Sequence, residues 1–231
     1  MKLTNFETKK AIIGMVIGDG CLSRNKGRKG NKVGNAYFQM SHGIKQYDYL
    51  LWKKDIIENI TKCKVYKNDT KSGFSSNTIS EGYHLNSSVH PTFTKLYSRF
   101  YQYDKKSIDE YLLKMIDPLA LAIIFMDDGC LGKAMPKYWT KETCYLSLCN
   151  FDYANLFLIK KSLKLSFDLD WNINKQSLKP NNPKRYYNLR LLNRDNQKFF
   201  DIIRPYVEQV PCMAYKLGSY AEHSEKSVDI V

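Results

Sequence analysis

The amino-acid sequence predicts an α+β protein made of two similar halves, and two observations carry this. The first is a doubled pattern: Ala11-Ile-Ile-Gly-Met-Val-Ile-Gly-Asp-Gly-Cys-Leu22 and Ala120-Leu-Ala-Ile-Ile-Phe-Met-Asp-Asp-Gly-Cys-Leu131 share an identical Asp-Gly-Cys-Leu ending when Asp19 is aligned on Asp128. In each copy an apolar, small-residue helical run stops at an acid followed by Gly, the residue that most readily ends a helix. The second is the alternation of period-two and helical spacing in the same order after each copy. Each half therefore reads as an α-β-β-α-β-β-α unit, with domains expected at residues 1–103 and 104–231.

After the first signature, Gly27 to Asn35 reads as a basic loop, and Ala36-Tyr-Phe-Gln-Met-Ser41 as a half-buried strand with Ala36, Phe38 and Met40 inward. In the second half Cys144, Leu146 and Leu148 form the matching inward set. Helical spacing follows over Gln46 to Ile60 and over Tyr153 to Leu165. Strand signals come next at Lys62 to Lys67 and Tyr83 to Ser88, then at Leu169 to Gln176 and Tyr186 to Leu192. Closing helices are expected at Pro91 to Tyr101 and Arg194 to Tyr206. Between the halves, Gln102 to Asp117 holds a short helix before Pro118 opens the second signature.

The acids that end the signature helices are oddly placed. Unpaired carbonyls give a helix C-terminus partial negative charge, which disfavours a carboxylate there by about 0.3–1 kcal/mol. A divalent cation would compensate. Two buried helices that each happen to end in a solvated Asp would explain one copy, but repetition points to paired helices with their acids side by side. Gly14, Gly18, Ala120 and Ala122 would let the backbones approach closely.

Lys and Arg number 36 against 23 acids, a net charge of +13 over 231 residues. Such an excess calls for a polyanion, and nucleic acid is the usual one. The 43% hydrophobic content excludes wholesale disorder, and no run approaches the ~20 apolar residues of a membrane span, so no membrane partner is expected. The N-terminal residues do not read as a secretion signal, and an intracellular setting is expected, either the cytoplasm of a bacterium or phage host or an organelle such as the mitochondrion. Six cysteines show neither Cys-x-x-Cys spacing nor a paired His, so neither a zinc site nor a disulfide framework is indicated.

The outward strand residues form a distinctive set: Tyr37, Gln39 and Ser41; Lys62, Lys64 and Tyr66; His84 and Asn86; Tyr145 and Ser147; Asp170, Asn172, Asn174 and Gln176; Asn188 and Arg190. Amides that donate and accept together, mixed with Lys, Arg and Tyr, suit base edges and phosphates. Any sheet with one wet face is polar, but the shortage of Glu and the basic loop residues Arg28, Lys29 and Arg185 favour nucleic acid.

Ile12-Ile-Gly-Met-Val-Ile-Gly-Asp-Gly20 and Leu121-Ala-Ile-Ile-Phe-Met-Asp-Asp-Gly129 resemble the doubled signature of the single-chain LAGLIDADG homing endonucleases. Lys105-Lys-Ser-Ile108 and Met213-Ala-Tyr-Lys-Leu217 resemble further stretches of that family. The resemblance implies two saddle-shaped antiparallel sheets packed through the signature helices. It also implies Mg²⁺-dependent cleavage of double-stranded DNA at a long asymmetric site, leaving short 3′ overhangs, with Mn²⁺ able to substitute. By the same resemblance Asp19 and Asp128 are metal ligands, Gly18 and Asp127 add main-chain carbonyls, and Lys106 and Lys216 complete the catalytic set, with Lys105 as the alternative to Lys106. The implied protein is a monomer encoded in an intron. The rival is a maturase that binds its own intron RNA, with or without DNA cleavage, and a DNA-binding regulator on an inactive scaffold is disfavoured because both acids are present.

Overall fold

The computed structural model describes residues 1–26, 32–68, 70–71, 79–102, 105–132, 142–176 and 186–221. The chain forms two compact units, Met1–Ile123 and Ile124–Val231. In the first, helix α1 (Asn5–Ile17) opens on a Thr4/Glu7 capping box in which Thr4 Oγ1 accepts from the Glu7 amide and the Glu7 carboxylate accepts from the Thr4 amide. Strands β1 (Cys21–Lys26) and β2 (Lys32–Gly43) follow, then α2 (Tyr47–Ile57), β3 (Cys63–Lys67), the short pair β4 (Thr70–Lys71) and β5 (Ile79–Ser80), β6 (Gly82–Ser87) and α3 (Pro91–Phe100). A two-residue pair, β7 (Tyr101–Gln102) and β8 (Lys105–Lys106), leads to α4 (Glu110–Lys114).

Helix α5 (Pro118–Asp128) carries the second signature, and the division between the units falls within it. The second unit continues with β9 (Gly129–Gly132), β10 (Thr143–Leu146), α6 (Tyr153–Phe167), β11 (Trp171–Lys175), β12 (Tyr187–Leu191) and α7 (Asn196–Val207), and ends in a 3₁₀ segment over Pro211–Tyr220.

The two four-stranded sheets share one topology. Their orders are β1-β2-β6-β3 and β9-β10-β12-β11, antiparallel throughout, with the last strand of each sheet in chain order inserted between its second and third. The mixed class and the repeated element order are borne out. One sheet face in each unit is dry: Leu22, Ala36, Phe38, Met40 and Leu85 are buried in the first, and Cys144, Leu146, Leu189, Leu191 and Trp171 in the second. A ring cluster of Phe125, Trp171, Phe199 and Phe200 with edge-to-face contacts fills the second core, and Tyr220 stacks on Phe200 at 4.3 Å.

Several expectations need correction. Lys32 to Asn35 belong to β2 rather than to the basic loop, whose residues 27–31, with Arg28 and Lys29, lie outside the described residues, as does Arg185. Strand β10 stops at Leu146, so Ser147 and Leu148 lie beyond it, where the Cys149 amide turns back to donate to the Ser147 carbonyl at 2.7 Å. Lys62 precedes β3 and Asp170 precedes β11, each by one residue, while Gln176 follows β11 directly.

Candidate active site and nucleic-acid interface

The signature glycines are packing residues as much as helix terminators. A Cβ on Gly14 would stand 2.7 Å from the Ala120 carbonyl oxygen and 2.8 Å from its Cα, so α1 and the start of α5 meet backbone to backbone, as the small residues led us to expect. A Cβ on Gly20 would meet the Phe38 ring at 2.6 Å, and one on Gly129 would collide with the Phe125 ring. Each unit thus seats a phenylalanine against the glycine that follows its acid.

The acids themselves are accessible. Asp19 is exposed, while Asp127 and Asp128 are half-buried. Helix α1 ends at Ile17 with Gly18 as its cap, so Asp19 lies just past the helix, whereas Asp128 is the last residue of α5. At each end a lysine donates to a main-chain carbonyl next to the acid in sequence. Lys106 Nζ donates to the carbonyls of Ile17 at 3.4 Å and Gly18 at 3.3 Å. In the second unit Lys216 Nζ, carried by the C-terminal 3₁₀ segment, donates to the Gly129 carbonyl at 2.5 Å. Lys105 is exposed and Lys106 half-buried, so of the two it is Lys106 that reaches the end of α1.

The wet face of the first sheet is a connected polar surface. Register aligns Cys21, Gln39, Asn86 and Lys64 in one row across four strands, and Ser41, His84 and Tyr66 in the next. Gln39 Nε2 donates to Ser23 Oγ at 3.1 Å, and Asn86 Nδ2 donates to the Tyr66 hydroxyl at 3.1 Å. His84 lies between Ser41 Oγ (2.6 Å, at Nδ1) and Asn86 Oδ1 (3.0 Å, at Nε2). Because Asn86 Oδ1 can only accept, His84 Nε2 is the donor in that pair. Tyr37 shares this face, opposite Ser23.

In the second unit the corresponding row reads Cys130, Tyr145, Arg190, Asn172, followed by the facing pair Asn188 and Asn174. Position by position, Gln39, Asn86 and Lys64 are replaced by Tyr145, Arg190 and Asn172. The side-chain oxygen of Asn188 is shielded from solvent and has no hydrogen-bond partner among the described residues. Asp170 stands apart from this row: its carboxylate accepts from Lys164 at 2.9 Å and Arg194 at 2.7 Å, which hold its pKa below the usual carboxylate range.

One arrangement had no counterpart in the sequence reading. Lys53 on α2 is fully buried, with Nζ 3.1 Å from His42 Nε2 and 3.9 Å above the Tyr49 ring, while His42 Nδ1 faces Gln46 Oε1 at 3.0 Å. A lysine among the apolar positions of α2 was the available signal.

Two units of one topology, each closing its signature helix in an acid beside a lysine-bound carbonyl, define a doubled LAGLIDADG-type protein. The family model described as "LAGLIDADG DNA endonuclease family" matches residues 9–199, and the chain belongs to that family. The fold aligns with the homing endonuclease I-WcaI bound to its DNA recognition sequence, at a TM-score of 0.75 and 20% identity over 94% of this chain and 88% of that one. Among curated proteins, the cytochrome b mRNA maturase bI2 of Debaryomyces hansenii is 27% identical over 216 residues, 93% of this chain and 74% of the maturase. The RecA protein of Mycolicibacterium flavescens is 38% identical over 121 residues, 52% of this chain and 25% of RecA. The chain thus spans from a quarter to three quarters of these two relatives.

Proposed function

We propose that this protein is a site-specific homing endonuclease that makes metal-dependent double-strand breaks in a long asymmetric DNA target, leaving short 3′ overhangs, and that it is intron-encoded and acts as a monomer. The observation that carries this reading is the repeated placement of an accessible acid and a lysine-bound carbonyl at the end of each signature helix. The donors at each helix end fit a hard divalent cation such as Mg²⁺: the Asp19 carboxylate and Gly18 carbonyl in the first unit, and the Asp128 carboxylate and Asp127 carbonyl in the second, are all oxygen. A bound divalent ion would supply an activated water and neutralise phosphate charge.

The lysines do the remaining work. Lys106 and Lys216, fixed by the carbonyls they bind, would hold ammonium groups beside the scissile phosphates and stabilise charge as it develops. The wet sheet faces would supply recognition, with Lys62, Lys64 and Arg190 reaching phosphates and base edges and the amides of Gln39, Asn86, Asn172, Asn174 and Asn188 reading bases. Because equivalent rows differ between the units, the expected site lacks palindromic symmetry. I-WcaI, with this fold, is bound to a DNA recognition sequence, which supports the same partner here.

Cleavage of a randomised double-stranded library with Mg²⁺, against EDTA and Asp19→Asn controls, tests this. One long asymmetric site enriched only with metal and native Asp19 is expected, and absence of any enriched site overturns the reading. A second activity, assistance of intron RNA splicing, is favoured by the likeness to the Debaryomyces hansenii maturase across 93% of this chain.

A further inference from the structure

Four of the large hydrophobic side chains left exposed lie on α6: Tyr153, Phe157, Leu158 and Leu165, the last 77% exposed. Helical spacing places Phe157, Leu158, Lys161 and Leu165 on the side opposite Leu156, Ile159 and Leu163, which are buried against the sheet, while Tyr153, edge-on to the Tyr187 ring at 5.4 Å, and half-buried Lys160 flank that buried stripe. Aromatic, aliphatic and cationic groups therefore alternate over one solvent face. Beside it lies a groove of about 230 Å³ whose lining includes Phe157, Lys160, Lys161, Leu165 and Trp171.

Charge narrows what fits this face. Asp170, also in the groove lining, is already neutralised by Lys164 and Arg194, while Lys160 and Lys161 make no ion pair among the described residues. A second copy of the chain would bring lysines against lysines, so an anionic occupant is favoured. Flat apolar groups and anionic charge together describe nucleotides whose base faces are uncovered. A duplex hides those faces.

We propose that the exposed face of α6 binds unpaired RNA, with bases stacked on Tyr153 and Phe157 and phosphates at Lys160 and Lys161. This surface is separate from the wet sheet face: α6 packs on the Trp171 side of β11, and Asn172 and Asn174 point to the other. The proposal rests on the RNA-splicing reading above and locates it.

The test uses the full chain and a fluorescein-labelled RNA hairpin with a uridine-rich unpaired loop, its loop also prepared with 4-thiouridine for crosslinking. Phe157→Ala/Lys160→Gln/Lys161→Gln should weaken RNA binding about tenfold or more, in line with loss of one stacked base and two phosphate contacts. Duplex DNA cleavage should stay within about twofold, and crosslinks in the unmodified protein should fall within residues 153–165. Unchanged RNA affinity with crosslinks elsewhere would overturn this placement while leaving the RNA reading intact. Failure of the unmodified chain to bind the hairpin would overturn both.

Discussion

The Lys106 ammonium lies 3.3 Å from the Gly18 carbonyl, one residue before Asp19, whereas Lys216 reaches the Gly129 carbonyl, one residue after Asp128. The two lysines thus flank their acids from opposite sides of the signature. Lys106 thereby places positive charge on the terminal carbonyls of α1, where a carboxylate is otherwise disfavoured, while Lys216 binds the first carbonyl of β9 just past α5. Lys106→Met and Lys216→Met should each slow DNA cleavage on the order of 100-fold with little loss of DNA binding. Lys105→Ala should stay close to wild type, and single-turnover cleavage kinetics with a parallel binding titration checks all three.

On the proposed reading, the sheet faces would divide recognition from affinity. Arg190→Ala should cost about 1–3 kcal/mol at a few target positions and relax discrimination there, while Lys64→Ala should weaken binding to all sequences and lower the salt slope by about one. Cleavage profiling of a singly substituted target set across salt concentrations measures both effects.

Backbone contact between α1 and α5 leaves no room at Gly14. Gly14→Ala places a methyl 2.7 Å from the Ala120 oxygen, and forced separation of two helices should cost about 1–3 kcal/mol. Gly43→Ala, whose nearest neighbour would be the Glu81 oxygen at 4.0 Å, is the control expected to leave the melting temperature nearly unchanged.

Thiol reactivity should follow burial. None of the six cysteines is in a disulfide; burial pushes Cys63 up to about 12 and Cys144 well above the ordinary thiol value, while Cys130 and Cys149 are exposed. Iodoacetamide at mildly alkaline pH, read by peptide mass spectrometry, should label Cys130 and Cys149 first and leave Cys63 and Cys144 until the chain unfolds.

Acid should weaken the second unit through Asp168. Hydrogen bonds from Lys164 and Lys198 lower its pKa from 3.8 to about 2. A depressed carboxyl stabilises the folded state above its unfolded pKa, and this contribution is lost as pH falls from about 4 toward 2. Thermal melts of Asp168→Asn should therefore converge on wild type across that window, and salt should narrow the difference at neutral pH.

Periodicity made much of this fold legible. The alternation in Ala36 to Ser41 and in Tyr187 to Leu191 placed the wet and dry faces correctly, because those side chains behave as their polarity suggests. Strand β1 escaped notice because its inward Arg24 is polar yet covered, with its guanidinium 4.8 Å from the centre of the Tyr97 ring. The insertion of β6 between β2 and β3 depends on pairing between distant segments, which local pattern does not encode. At the site, Asp19 and Asp128 stood out through repetition and helix electrostatics. Lys106 and Lys216 came only through resemblance, since nothing local separates them from other lysines in a chain of net charge +13. Buried Lys53 was hidden for the opposite reason: an amine on an amphipathic helix ordinarily faces water.

In the proposed function, Asp19 and Asp128 serve metal-dependent cleavage rather than structure or DNA affinity. The most direct measurement compares Asp19→Asn and Asp128→Asn with the unmodified protein on the selected duplex, reading cleavage with Mg²⁺ and affinity with cleavage blocked. Loss of double-strand cleavage in both variants with affinity within about threefold of the unmodified protein is predicted, because only the metal-ligand charge has been removed. Cleavage that survives either substitution, or affinity that falls as far as cleavage does, would contradict the assignment.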